Sequence, residues 1–129
     1  MILVDSSVWI DYFRGLPTPA AETLDGLLST DRLVIGDLIL AEVLQGFSSD
    51  RDFLEAKKLL TSMPIITLSG RHIAIQAAQN HRRLRALGVT VRKTIDAIIA
   101  TRCIADSLTL LHNDRDFDPF VKHLGLRSL

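Results

Sequence analysis

The sequence predicts an α/β fold of three layers, in which helices cover both faces of a central parallel sheet of four to five strands. Short apolar segments alternate along the 129 residues with longer segments of helical periodicity, and this alternation is typical of parallel sheets. The apolar segments are continuous, as strands buried on both faces require. At this length we expect one domain, residues 1–129.

Residues 1–67 are predicted to contain three strands and four helices. The strands are the short apolar segments at residues 2–4, 33–35 and 65–67. The first helix begins at Ser6 or Ser7, because either hydroxyl can accept a hydrogen bond from the backbone of the first turn, and it ends at Gly15. The following helices are predicted at residues 20–28, 37–46 and 49–63.

Residues 68–129 are predicted to contain three helices and two strands. The longest helix runs over residues 69–87, has an apolar stripe that includes Leu84 and Leu87, and ends at Gly88. Thr94 caps the next helix, which continues through residue 105, and Asp118 caps a short last helix. The strands are predicted at residues 108–111 and, as an edge strand, at residues 126–129.

Four acidic residues stand within or directly beside apolar segments: Asp5, Glu42, Asp96 and Asp114. Asp5 and Asp114 follow strands, and open α/β sheets bind ligands at the carboxyl ends of their strands. Helices that connect parallel strands run opposite to them, so Asp96, in the first turn of its helix, belongs to the same edge. Glu42 lies about two turns into its helix. We therefore expect all four carboxylates to meet at one edge of the sheet.

Carboxylates gathered in this way repel one another unless a cation binds between them. Hard divalent cations such as Mg²⁺ and Mn²⁺ prefer oxygen ligands, and they can activate a water while neutralising charge on a phosphodiester. No histidine lies beside a serine or cysteine in a recognisable catalytic arrangement, so no protein nucleophile is predicted. The pattern therefore predicts a metal-dependent enzyme.

The charges balance overall, with 15 basic and 15 acidic residues, but they are unevenly distributed. Residues 70–95 contain six basic residues and no acidic residue, which predicts separate basic and acidic surfaces. Because RNA phosphates require positive charge, these residues are candidate RNA contacts, with Arg92 and Lys93 preferred over Arg82 and Arg85. The alternative is that the basic residues form only a solvated helix face.

The composition excludes several classes of protein. The single cysteine, Cys103, excludes an internal disulfide and is expected in the core. No apolar run approaches the roughly 20 residues that span a bilayer, and no basic segment precedes the first apolar residues as in a signal peptide. We expect a soluble cytoplasmic protein. The hydrophobic fraction of 47% suggests that another chain covers some apolar surface.

Residues 5–15 resemble the opening of PIN-domain ribonucleases of the VapC toxin type, in which a metal-binding aspartate precedes a hydroxyl residue and a helix that contains a tryptophan. Residues 42–46, 94–100 and 111–117 resemble the second, third and fourth acidic motifs of that family, in the same order. The resemblance spans nearly the whole chain. The sequence differs at His112 and Asn113, where many members have a small hydroxyl residue before the fourth aspartate.

The resemblance implies a PIN-like fold and an Mg²⁺-dependent endoribonuclease, for which Mn²⁺ can substitute. It further implies the toxin of a toxin-antitoxin pair that cleaves tRNA or rRNA, forms a homodimer and is held inactive by a VapB-type antitoxin. Ser7 would orient Asp5 or a bound water. The implied metal ligands are Asp5, Glu42, Asp96 and Asp114, with Asp116 as a fifth.

Three alternatives remain open. A phosphatase or receiver of similar topology also has an aspartate after the first strand, but Ser7 stands where such a phosphatase needs its second acid. A PIN-like module that binds nucleic acid without catalysis would keep the fold, although a decayed site usually loses carboxylates that repel one another. The third alternative is the same nuclease acting on structured DNA.

Overall fold

Five short strands of the computed structural model, which describes residues 1–129, form one sheet in the order β3-β2-β1-β4-β5. Strand β1 pairs in parallel with β2, β2 with β3, and β4 with β5. The sheet therefore has five strands, within the predicted range, and the last one is an edge strand as predicted. The strands are β1 (Ile2–Val4), β2 (Leu33–Gly36), β3 (Ile65–Ile66), β4 (Thr109–Leu111) and β5 (Arg127–Ser128).

Seven α-helices and one 3₁₀ turn connect these strands, and none of the helices is long and apolar enough to cross a membrane. The helices of the first half are α1 (Ser6–Phe13), α2 (Pro19–Leu27), α3 (Asp37–Leu44) and α4 (Asp50–Leu60). The remaining elements are α5 (Arg71–Ala86), α6 (Thr94–Ala105), the 3₁₀ turn (Arg115–Phe117) and α7 (Asp118–Leu124).

The chain divides into two compact units. The first comprises Met1–Thr67 and Leu111–Asn113, and the second comprises Leu68–Leu110 and Asp114–Leu129. The first unit thus contains β1 to β3 with α1 to α4, together with the three residues that begin at the end of β4.

In the first unit, the apolar residues of β1 and β2 are all buried, as their continuous apolar sequences predict. Helix α1 packs against α2 and α3, and α3 packs against β2 and α4. The indole of Trp9 is fully buried, with its ring centroid 6.0 Å from that of Phe13. Gly15 adopts a φ of +70°, which glycine tolerates better than other residues, so the chain turns there after α1 as predicted.

In the second unit, α5 packs against α6 through a stripe of small and aliphatic residues. Ile73, Ala77 and Leu84 are buried on α5, and Cys103 is buried on α6 as predicted. Leu87 does not continue the stripe as predicted but is exposed, because α5 ends at Ala86 and the chain turns at Gly88.

The structure corrects three predicted capping residues. Asp5, not a serine, caps α1, because its backbone is extended and its carboxylate accepts the N–H of Ser7. Thr94 is the first residue of α6 and follows the extended Lys93. Asp118 is likewise the first residue of α7, since the preceding 3₁₀ turn is already helical at Phe117.

Candidate metal centre

Three carboxylates of the second unit form one cluster. Asp96, Asp114 and Asp116 each offer an oxygen atom, and these three oxygens all lie within 4.8 Å of one another. Asp96 is 6% exposed, whereas Asp114 and Asp116 are half-buried. The structure therefore brings together three of the five carboxylates that the resemblance implies as metal ligands.

The local backbone explains how each of these carboxylates is held. Asp96 lies in the first turn of α6, where the helix dipole favours negative charge. Asp114 comes shortly after β4, and its Oδ1 accepts the backbone N–H of Asp116 at 2.9 Å, which caps the 3₁₀ turn. Phe117, at the end of that turn, is fully buried and anchors the loop.

Two cations contact the outer part of this cluster. The Arg92 guanidinium donates from Nη2 to Oδ1 of Asp116 at 2.9 Å and to Oδ2 at 3.2 Å. The Lys93 ammonium Nζ lies 3.7 Å from Oδ2 of Asp114. The hydrogen bond and the charge of Asp116 both raise the pKa of Arg92 above its ordinary value. The predicted separation of basic and acidic surfaces is therefore wrong at this point of the chain.

Asp5 lies in the first unit and is 5% exposed. Its backbone N–H donates to the carbonyl of Leu111 at 2.9 Å, so the end of β1 is attached to the segment that leads toward Asp114. Its Oδ2 accepts the hydroxyl of Ser7 at 2.6 Å and the backbone N–H of Ser7 at 3.3 Å. Hydrogen bonds from a hydroxyl to a carboxylate are short and strong, so Ser7 fixes the orientation of this acid.

Glu42 is half-buried in α3, also in the first unit. It lines a cavity of about 190 Å³ together with Ile10, Phe13, Arg14, Val43, Gly46 and Phe47. The walls of this cavity are mainly apolar, as expected from the few polar residues in α3.

Two sets of contacts near the cluster were not predicted from the sequence. The amide of Asn113 donates to Oδ2 of Asp11 at 3.3 Å, which ties α1 to the residue before Asp114. No pattern could reveal a pair 102 positions apart. The ion pairs of Arg92 and Lys93 with the acids were also missed, although both cations precede Asp96 by no more than four residues.

The cluster suits a hard divalent cation. Carboxylate oxygens are the ligands that such ions prefer, and opposite ligands of an octahedral Mg²⁺ lie roughly 4 Å apart, since each bond is about 2.1 Å. The three oxygens lie within 4.8 Å of one another, slightly more than the span of one such ion, so the three carboxylates are close enough to face a single ion.

Comparison with known proteins identifies the family to which this chain belongs. The PIN domain family model matches residues 2–121. This chain belongs to the PIN-domain family. The PIN domain is 31% identical over 130 aligned residues to ribonuclease VapC11 of Mycobacterium tuberculosis and to VapC ribonuclease Mb1587 of Mycobacterium bovis. The alignments cover 99% of this chain and 97% of each relative, so the predicted VapC-type PIN domain is confirmed.

Solved structures share the fold of this PIN domain. VapBC2 from Rickettsia felis, bound to a promoter DNA fragment, matches with a TM-score of 0.75 and 20% identity over 100% of this chain and 98% of that one. VapBC-1 from nontypeable Haemophilus influenzae matches with a TM-score of 0.73 and 23% identity, over 100% and 97%. The predicted three-layer α/β/α class is thereby confirmed. PIN-domain nucleases depend on metal ions, and this PIN domain has a carboxylate cluster that can hold one.

Proposed function

We propose that this PIN domain is a metal-dependent endoribonuclease that acts as the toxin of a VapBC-type toxin-antitoxin pair in the cytoplasm. One observation carries the proposal: the cluster of Asp96, Asp114 and Asp116 occurs in a chain 31% identical to proteins named VapC ribonucleases. The substrate we propose is tRNA or rRNA, whose phosphodiester bonds are hydrolysed.

We further propose that Mg²⁺ is the natural cofactor and that Mn²⁺ can substitute for it. The proposed ligands are Asp5, Glu42, Asp96 and Asp114, with Asp116 as a fifth. Support comes from the order of the four acidic motifs and from the three clustered oxygens of the second unit. When bound, such an ion supplies an activated water and neutralises charge on the reacting phosphodiester.

Side chains of the protein orient the proposed ligands and provide positive charge for RNA. The hydroxyl of Ser7 holds Asp5 in one orientation, and burial with the dipole of α6 fixes Asp96. The exposed guanidiniums of Arg82 and Arg85 on α5 provide positive charge for the RNA backbone. We assign Arg92 and Lys93 to the phosphates nearest the metal centre.

The proposed partners are a VapB-type antitoxin and a second copy of the chain. The solved VapBC structures contain a toxin of this fold together with its antitoxin. The half-buried rings of Phe13 and Phe47, beside Arg14 and Glu42, offer an apolar surface with both signs of charge to such a partner.

The test is cleavage of total bacterial RNA by purified protein with Mg²⁺, with Mn²⁺ and with EDTA. We expect discrete fragments only with metal, and none from Asp96→Asn, because the substitution removes a charged ligand. Asp25→Asn changes an exposed aspartate of α2 and serves as the matched control. Cleavage of structured DNA but not RNA would replace the substrate, and folded protein that binds RNA without cutting it would indicate a binding module.

A further inference from the structure

We propose that Arg92 and Lys93 are exchangeable counter-ions of the carboxylate cluster: they neutralise Asp116 and Asp114 when no metal is bound, and divalent metal releases them to bind RNA phosphate. This inference rests on the proposed function. It assigns to two residues a coupling between metal binding and substrate binding.

The contacts place both cations on carboxylates of the cluster. Nη2 of Arg92 donates to both carboxylate oxygens of Asp116, at 2.9 and 3.2 Å, so both oxygens lie beside the positive guanidinium. Lys93 lies 3.7 Å from Oδ2 of Asp114, while Oδ1 of the same acid accepts a backbone N–H. A divalent ion that binds these carboxylates would lie beside two like charges and repel them.

The exposure of the four side chains makes the exchange easy. Arg92 and Lys93 are 74% and 58% exposed, whereas Asp116 and Asp114 are 21% and 27% exposed. The cations therefore approach from the solvent, through long flexible side chains, and can rotate away without opening the core. Exposed ion pairs of this kind are weak, so a multivalent ion can displace them.

Charge balance fits an exchange of two cations for one ion. The three clustered carboxylates together with Arg92 and Lys93 carry a formal charge of −1. A single divalent ion in place of the two side chains leaves the same −1. The cluster thus keeps its charge, while two positive side chains become free at its rim.

The released side chains create a linkage between two ligands. The side chains of Arg92 and Lys93 can contact RNA phosphates only after metal has bound, so metal raises the affinity for RNA. By thermodynamic reciprocity, RNA raises the affinity for metal by the same factor. The protein would then hold metal weakly until a substrate is present.

The first test measures Mn²⁺ affinity by isothermal titration calorimetry without RNA. We expect Arg92→Gln and Lys93→Gln each to tighten binding by about 2- to 5-fold, the factor that corresponds to the loss of one exposed ion pair. Arg83→Gln removes an exposed charge of α5 that has no acidic partner and controls for net charge. Affinity that is unchanged, weakened or equal to the control would overturn the proposal.

The second test measures the salt dependence of binding to a short single-stranded RNA with phosphorothioate linkages, shown by gel to stay intact. For the wild type, the slope of log affinity against log salt should be steeper with Mn²⁺ than with EDTA by about 1.4, since each added phosphate contact contributes about 0.7. In the Arg92→Gln, Lys93→Gln double variant this difference should disappear. A difference that persists in the double variant would refute the release of these side chains.

These readouts separate the inference from the proposed function. Tighter Mn²⁺ binding by the variants of a protein that cuts no RNA would sustain the exchange and reject the nuclease. Metal-dependent cleavage with unchanged Mn²⁺ affinity would sustain the nuclease and reject the exchange.

Discussion

Asp5 has two tasks at the scale of a single residue, because it caps α1 and is a proposed metal ligand. Both hydrogen bonds from Ser7 reach Oδ2, which leaves Oδ1 as the oxygen best able to bind a cation. The capping atom and the proposed ligand atom are therefore different oxygens of one carboxylate.

Removing the Ser7 hydroxyl should loosen Asp5 without unfolding the protein. We expect Ser7→Ala to lower Mn²⁺ affinity or cleavage by about 10- to 100-fold, the usual effect of losing a group that orients a metal ligand. The measurement is kcat/KM together with calorimetric metal affinity. Ser7→Thr, which keeps a hydroxyl, should restore most of the loss, and Ser6→Ala is the neighbouring control. Full activity in Ser7→Ala would remove this residue from the site.

The positions of the acids were predictable from sequence, because an acid after a continuous apolar segment is visible in a local pattern. The partners of those acids were not. Arg92 reaches Asp116 across 24 positions, and Asp116 lies within a 3₁₀ turn that no periodicity predicts. The sequence therefore identified candidate ligands, but it predicted that Arg92 and Lys93 contact RNA or lie on a solvated helix face, not that they pair with these acids.

At the scale of elements, Arg102 of α6 secures the entrance to α5. Its Nε donates to the carbonyl of Leu68 at 3.1 Å, and its Nη2 donates to the carbonyl of Ser69 at 2.9 Å. Gly70 follows at the N-cap position with a φ of +90°, and because it has no side chain it cannot cap the first turn of α5. The planar guanidinium of α6 thus holds the two residues that precede Gly70 and so fixes where α5 begins.

Replacing Arg102 should therefore destabilise the protein more than replacing another arginine. We expect Arg102→Ala to lower the free energy of unfolding by about 1–3 kcal/mol, because two carbonyls lose a charged donor. Arg51→Ala breaks only an exposed ion pair with Glu55 on α4 and should cost less than about 1 kcal/mol. Urea denaturation followed by circular dichroism provides both values. Equal losses in the two variants would show that Arg102 does not act as a clamp.

Element types were predictable because apolar runs and helical stripes repeat over many residues, but several ends were not. Helix α4 ends at Leu60, before the predicted residue 63, where the hydroxyl of Thr61 donates to the carbonyl of Lys57 at 2.7 Å. Side chains that hydrogen-bond to the last carbonyls of a helix compete with the backbone and help to determine where the helix ends. The strand order β3-β2-β1-β4-β5 was also beyond the sequence, since a local pattern identifies a strand but not its neighbours.

At the scale of the whole molecule, a net charge of zero conceals local imbalance. Arg92 and Lys93 are the last two of six basic residues in a stretch without acids, and they form ion pairs with two carboxylates of the cluster. A folded protein that binds metal at this cluster gains stability by mass action, because the unfolded chain does not hold the three acids together.

Metal should therefore raise the melting temperature of the native protein. At Mn²⁺ concentrations of about 100 times the dissociation constant, the expected gain is about 2.7 kcal/mol, which corresponds to roughly 10 °C for a domain of this size. Differential scanning fluorimetry with Mn²⁺ and with EDTA measures the shift. Asp96→Asn should lose most of it, while the control Asp25→Asn should keep it. Since no RNA is present, equal shifts in wild type and Asp96→Asn would exclude Asp96 as a metal ligand whatever the substrate proves to be.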